Sequence, residues 1–309
     1  MANELNDIDK NILKEIAGIS EYPEGAFNIR KDGKGFKRNV TESINIVTKE
    51  DKTGIDIFVK ENTKGEFLHI PVILTEEGMN DTVYNDFYIG KNAEVTIVAG
   101  CGIHNSCAEN SQHDGIHSFF LEEGARVKYI EKHYGEGTGT GKRILNPKTI
   151  IDLKEGSFLE MDTVQIKGVS STDRETKGRL GKDTSLVISE KIMTHEDQYA
   201  KTEFEITLEG KNASSKVTSR SVAKDTSKQE FVSKIVGDTE CFAHVECDAI
   251  LMDDASVKAI PEIFANHVDA RLIHEAAIGK IAGEQLTKLM TLGLTEKEAE
   301  MEIVNGFLK

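Results

Sequence analysis

One short pattern recurs along this chain and limits its fold more than any other feature: apolar-x-x-(Asn, Gly or Asp)-(Ala, Ser or Thr)-x-apolar. It occurs at 89–95, 121–127, 153–159, 180–186 and 251–257, with a version one residue longer starting at Leu208 and a degraded one at Val236. The starts are spaced by 32, 32, 27, 28, 28 and 15 residues. Each instance places a turn-former and a small residue between two runs of strand character, as a β-solenoid does where a coil turns its corner. The alternative is a β-sandwich with ordinary turns; a fixed period favours the solenoid.

The flanks of the repeat differ from it. Residues 4–18 read as one helix, because Ile8, Ile12 and Ile16 recur every four residues and Gly18 supplies a stop. Turns follow at Tyr22-Pro-Glu-Gly and Lys31-Asp-Gly-Lys-Gly. From about residue 40 the pattern changes to alternation, as in Ile55/Ile57/Val59 and Val95/Ile97/Ala99, which marks half-buried strands. Segments 135–142 and 168–178 read as loops. At the far end, 283–292 and 296–308 are short amphipathic helices, with Gly293 between them and Thr295/Glu298 as a capping box. Neither exceeds the ~12–15 residues at which isolated helices begin to hold together, so both must dock. The organisation expected is an N-terminal helical segment (1–40), a β-helix core (41–268) and a C-terminal strand with helical tail (269–309).

Size and charge exclude several functions. A chain of 309 residues buries about 75% of its unfolded surface and needs no disulfides. A net charge of −15 argues against nucleic acid as a partner, since phosphate needs clustered Lys and Arg. No run of ~18 apolar residues suits a membrane span, and Met1-Ala-Asn-Glu-Leu-Asn-Asp is not a signal peptide. Four cysteines without an export signal point to free thiols in a reducing cytoplasm. The glycine run at 135–142 resembles a phosphate loop only superficially. Glu136 stands where the first Gly of GxxxxGK(S/T) belongs, and Arg143 replaces the Ser/Thr that would hold Mg²⁺.

Two clusters carry metal-ligating chemistry. The first is Cys101-x-x-His104-x-x-Cys107 followed by His113 and His117, donors suited to zinc or iron though at no strict zinc spacing. It is a candidate second metal site or sulfur-entry site, against which stands a polar loop with buried thiols. The second is Cys241-Phe-Ala-His244-Val-Glu-Cys247-Asp. In a continuous strand Cys241 and Cys247 share a face with Val245 and Ala249, while His244 and Glu246 point the other way. Buried cysteine often behaves as a small hydrophobe, which is the plain reading of Cys241.

The C-terminal quarter is similar to the SufB/SufD family of iron–sulfur cluster scaffolds. The resemblance rests on His274-Glu275-Ala276-Ala277-Ile278-Gly279-Lys280-Ile281, Gln285-Leu286, Gly293-Leu294-Thr295-Glu296 and Asn305-Gly306-Phe307-Leu308. Cys247-Asp248-Ala249-Ile250-Leu251 and Ala259-Ile260-Pro261-Glu262-Ile263 add to it. It spans roughly 236–309, and the β-rich middle more loosely. The resemblance implies a right-handed parallel β-helix, a transient iron–sulfur cluster, and a SufC-type ABC ATPase that docks on the tail helices through Leu286, Leu289, Ile303 and Phe307. It implies a sulfur donor and apo recipient proteins as further partners, with ATP hydrolysis left to the ATPase, so that this chain is not an enzyme. It also assigns Cys247 to the nascent cluster, and the candidate cluster-binding residues are Cys247, His274 and Glu275 together with Cys241 and His244 of the second cluster. In the family one subunit type carries the equivalent of Glu275 and the other that of His274. This chain has both, which implies a homodimer forming one pocket from two copies. The family's sulfur-entry cysteine has no counterpart, because no cysteine lies between 108 and 240. A SufD-like structural subunit without its own cluster is the nearest rival. A β-helix polysaccharide lyase is the more remote one, disfavoured by the absence of Trp and by 6% aromatics.

Overall fold

The computed structural model describes residues 4–309. Helix α1 (Asp7–Ala17) is followed by two antiparallel pairs, β1 (Ala26–Lys31) with β2 (Lys34–Asn39), and β3 (Ile44–Thr48) with β4 (Gly54–Val59). Next come β5 (Glu66–Leu74), β6 (Asn80–Ile89), β7 (Glu94–His104), β8 (Ser111–Leu121) and β9 (Arg126–Glu136). The middle holds β10 (Arg143–Leu145), β11 (Lys148–Leu153), β12 (Phe158–Lys167), β13 (Ser171–Leu180), β14 (Ser185–Thr194) and β15 (Tyr199–Leu208). The strands end with β16 (Ser214–Ala223), β17 (Lys228–Gly237), β18 (Cys241–Leu251), β19 (Ser256–Ala265) and β20 (Ala270–Lys280). Helices α2 (Gly283–Thr291) and α3 (Glu296–Phe307) close the chain.

From β4 onward the chain alternates between two parallel sheets. One runs β1-β5-β7-β9-β12-β14-β16-β18-β20; the other runs β4-β6-β8, then β10 and β11 sharing one rung, then β13-β15-β17-β19. The result is a β-solenoid of about eight turns. Side chains alternate in and out along each strand, as in the burial of β14 and β16. The apolar stack includes Ile97, Phe119, Tyr129, Leu186, Phe204 and Val245.

The repeat marks the corners, and the structure shows why its residue types are needed. Asn92, Gly124, Gly156, Asp183 and Asn212 all take positive φ, between 55° and 70°, where Gly, Asn and Asp are tolerated. The small residue after each of them is buried to 1% exposure or less. An earlier corner at Asn62-Thr63 follows the same geometry. The final instance, at 251–257, lies at the opposite corner, between β18 and β19, and stacks on Asp225 through the N–H of Asp254. Its spacing of 15 is half a coil.

Helix α1 forms where expected, closed by an Asn6/Asp9 capping box and by Gly18 at φ 68°. Its buried stripe is Ile12, Leu13 and Ile16, while Ile8 stays exposed. It lies across β7, where a Cβ on Gly102 would stand 2.1 Å from Ile12. Segment 135–142 continues β9 into a loop. A Cβ on Gly137, Gly139 or Gly141 would stand 2.0, 2.2 or 1.9 Å from the carbonyl oxygens of Asn105, Cys107 and Glu109, so the alternating glycines serve close backbone approach. The expectation of a loop over 168–178 is corrected, because Ser171–Leu180 is strand β13. Its inward positions are Thr172, Arg174 and Thr176, all buried. An apolar alternation was absent there because the polar side chains are the ones facing in.

Candidate functional site

The interior is not uniformly apolar. On the side of the coils away from the repeated corner, inward positions are polar. In β8 and β9 these are His113, His117, Glu131 and His133, joined by Asp81 from β6 and Arg174 from β13, all 8% exposed or less. Arg30 holds Asp81 through two hydrogen bonds of 2.9 and 2.6 Å, and His113 Nδ1 lies 3.2 Å from the same carboxylate. His117 Nδ1 bonds the Tyr129 hydroxyl at 2.6 Å, and that hydroxyl donates to Glu131 at 3.0 Å. Arg174 donates to Glu131 at 2.7 Å and lies 3.4 Å from Glu190. Burial works to raise the Glu131 carboxyl, but His133 and Arg174 hold it well below its ordinary value.

The first cluster read from the sequence is split by this arrangement. Cys101, His113 and His117 line one small cavity of about 10 Å³, with Glu131 and His133, room for roughly one water. His104 sits at the end of β7, between Glu136 at 3.2 Å and Ser106 at 2.9 Å. Cys107 lies in the following loop, its thiol 3.3 Å from Asn105 Oδ1. Burial, followed by the charges of Asp81 and Glu131, pushes the Cys101 thiol well up. Among the described residues no three His, Cys, Asp or Glu side chains stand placed to hold a metal ion. His133, Glu131 and Arg174 escaped the sequence reading, since inward polar residues in a solenoid look like loop composition. Their signal is recurrence one coil apart: Cys101 pairs with His133 in register.

The second cluster occupies the last two coils. In β18 Cys241, Ala243, Val245, Cys247 and Ala249 face inward, with Phe242, His244, Glu246 and Asp248 outward. Strand β20 pairs with β18 in strict register, Cys241 with Ala270, Val245 with His274, Glu246 with Glu275 and Cys247 with Ala276. Paired residues point the same way, so His274 faces the interior and Glu275 the outside. The five candidates therefore form two sets. Cys241, Cys247 and His274 lie inside; His244 and Glu275 lie outside, their Nε2 and Oε2 3.4 Å apart. Cys241 stands six residues from Cys247, roughly 20 Å along the strand, too far to share a ligand with it.

His274 is diagonal to Cys247 across the sheet, about 8 Å between Cα atoms from the strand spacing and rise. Both of its ring nitrogens are buried without a hydrogen-bond partner among the described residues. Burial and nearby His244 keep the imidazole below its ordinary pKa, hence neutral and able to ligate. Burial pushes the Cys247 thiol up to about 12, helped by Glu190 and Asp248. Ala276, its neighbour on the final strand, offers only a methyl group. Beyond β19 and β20 no further strand pairs among the described residues. Phe264, Ile273 and Ile278 are exposed there.

The tail does not cover that open end. Val304 of α3 and Leu308 just past its end pack on Val222 and Met252, with Met193 and Ile250, on the outer side of β14, β16 and β18. Of the residues expected to bind a partner, Leu286, Leu289, Ile303 and Phe307 are all half-buried, and Phe307 packs on the same patch as Val304. The exposed apolar side chains of the tail are Met290, Leu292 and Met301, with Leu292 at 80% exposure. No described helix is long and apolar enough to cross a membrane.

The sequence profile of the SUF system FeS cluster assembly SufBD core domain matches residues 74–307. A protein of Archaeoglobus fulgidus named as an iron–sulfur cluster assembly SufBD family protein is 28% identical over 286 residues, 91% of this chain and 73% of the relative. One from Methanocaldococcus jannaschii is 27% identical over 308 residues, 96% of both chains. One from Methanothermobacter thermautotrophicus is 28% identical over 240 residues, 77% of this chain and 57% of that longer relative.

The buried imidazole of His117 yields a pH prediction. Burial lowers its pKa to about 4, whereas the unfolded chain takes the proton near 6.5. The unfolded state therefore binds more protons between those values, and stability is lost as pH falls from about 6.5 to 4. The loss is roughly 3 kcal/mol. Denaturant unfolding at pH 7 and pH 4 should show this drop in the wild type and a clearly smaller one in His117→Gln. Equal drops in both proteins would refute it.

Proposed function

The chain belongs to the SufBD family of the SUF iron–sulfur cluster assembly system, and on that premise we propose that it is a scaffold that builds a nascent cluster at Cys247 and hands it on. The cluster is cargo, not a resident cofactor. The observation that carries the reading is the pairing of an inward Cys247 thiol with the unpartnered His274 imidazole on the last two strands of one sheet. A soft thiolate and a neutral imidazole suit iron, and a donor set short of four thiolates favours release. The lone Cys–His pair leaves coordination positions for donors from a second chain. Anaerobic addition of ferrous iron and sulfide should give visible absorption in the wild type and none in Cys247→Ser, with the fold intact. Undiminished iron and sulfide in that variant would end the assignment to Cys247, and no absorption even in the wild type would favour a structural subunit.

The second chain is proposed to be another copy of this one. The unpaired edges of β19 and β20 and the exposed Phe264, Ile273 and Ile278 support it, because an open apolar sheet edge invites pairing. A two-fold axis at this end would set Glu275 and His274 of both copies around one pocket. Light scattering at micromolar concentration should give the mass of a dimer; a monomer would count against this arrangement.

The tail is proposed to dock a SufC-type ATPase. Since Val304 and Leu308 are committed to the solenoid, the free surface is Met290, Leu292 and Met301, and a helix pair with exposed apolar anchors suits a partner's groove. The double variant Leu292→Glu, Met301→Glu should lose co-purification with the ATPase. Its unfolding free energy should stay within about 0.5 kcal/mol of the wild type, as for other exposed substitutions. Retained co-purification would place the dock elsewhere.

A further inference from the structure

The tail helices present sulfur where they present anything large and apolar. Among the exposed positions of α2 the one large apolar side chain is Met290, and among those of α3 it is Met301. They are 45% and 58% exposed. The other exposed positions of α3 are Glu296, Lys297, Glu298, Glu302, Asn305 and Gly306, a polar surface with one thioether set in it. The chain has seven methionines. Met1 lies outside the described residues; of the rest, Met79 and Met193 are half-buried, and Met161 and Met252 are 2% and 8% exposed. The described methionines open to solvent therefore coincide with the surface already proposed to meet the ATPase. A thioether differs from leucine there in one respect. A peroxide converts it to a sulfoxide, polar and chiral, and so spoils an apolar contact.

We propose that Met290 and Met301 form a reversible oxidation site that controls docking of the ATPase, with hydrogen peroxide as the oxidant. The sulfur lone pair attacks one peroxide oxygen; an S–O bond forms and the O–O bond breaks. The departing hydroxide takes the proton of the transferred hydroxyl and leaves as water. Sulfur gives up two electrons and the peroxide accepts them, so the step balances. The undocked chain is the substrate, because a partner seated on the tail covers both side chains. Oxidation then blocks association rather than breaking a complex. The effect stays local, since the tail is seated on the solenoid through Val304 and Leu308 and not through Met301. The seat has methionines of its own, Met193 and Met252, and their oxidation is the rival, because it would loosen α3 itself.

The idea rests on the tail being the ATPase dock, and the test separates the two claims. The chain alone is treated with hydrogen peroxide, the peroxide is removed with catalase, and a thiol reductant then restores reversibly oxidised cysteines while leaving sulfoxide in place. Peptide mass mapping should find the added oxygen at Met290 and Met301 ahead of Met79, Met161, Met193 and Met252. Affinity for the SufC-type ATPase should fall by about tenfold or more, the usual effect of losing an apolar anchor from an interface. Methionine sulfoxide reductases acting on both epimers should restore it, and the denaturant midpoint of the chain should not move. In the double variant Met290→Leu, Met301→Leu, compared with its own untreated control, peroxide should change nothing. Unchanged affinity in the wild type oxidised at both sites overturns the switch. So does a loss that persists in the double Leu variant or comes with a lowered midpoint, which would assign it to Met193 and Met252. If Leu292→Glu, Met301→Glu still binds the ATPase as the wild type does, the dock itself is misplaced and the switch falls with it.

Discussion

The hydrogen bonds between the parallel strands of this protein run from one coil to the next and not within a coil, so each coil depends on a neighbour on either side. That single constraint organises the rest. At the start of the solenoid the two antiparallel pairs β1/β2 and β3/β4 turn the chain back on itself. Strands β2 and β3 are the outermost members of the two sheets there. Helix α1 covers the flank of β5, β7 and β9 rather than an end. At the other end nothing comparable follows β19 and β20 among the described residues, and α3 folds back onto the side of the coils at Val222 and Met252. A parallel stack left open in this way presents unpaired N–H and C=O groups and an uncovered inner face. The Cys247–His274 pair sits beside that opening.

The corners show how much of such a fold a sequence displays. They were legible because their backbone demands positive φ, which Asn92, Gly124, Gly156, Asp183 and Asn212 can adopt and most residues cannot. The tail helices were legible through their caps, and Thr295 with Glu298 is found as read. The alternation of β18 was equally plain, putting Cys241 and Cys247 on one face. What could not be read was any strand whose inward side chains are polar. In β13 the residues that face the interior are Thr172, Arg174 and Thr176, and without an apolar alternation the segment looks like a loop. The same blindness hid Glu131, His133 and Glu190. The charged partner that holds Glu131 lies more than a coil away in sequence, Arg174 at 43 residues, so no local pattern announces it.

A polar interior of this kind is not an economical way to stabilise a solenoid. Replacing buried ion pairs by well-packed apolar side chains is often neutral or stabilising, whereas removing one partner leaves an uncompensated charge at a cost of about 3–5 kcal/mol. An all-apolar stack, such as the Leu153, Leu180 and Leu208 column beside the repeated corner, would serve the fold at least as well. The polar half must then be explained by what it borders. Its members run from Asp81 through Glu131 and Arg174 to Glu190, and Glu190 is one side chain removed from Cys247.

The same period of two that builds the strands also divides the proposed cluster site. Adjacent residues of a strand point to opposite faces, so His274 and Glu275 cannot act as one chelating pair within a chain. His274 belongs with Cys247 on the inside, and Glu275 with His244 on the outside. The two faces meet only at the free edge of β20, where the sheet stops. Cargo held at that edge could draw on both sets of donors, while cargo deeper in the coils could draw only on the inner one. A second copy meeting this edge would double the donors at the one place where both faces are within reach. The proposal of a site at the last strand thus draws on the same alternation of side chains that builds the solenoid.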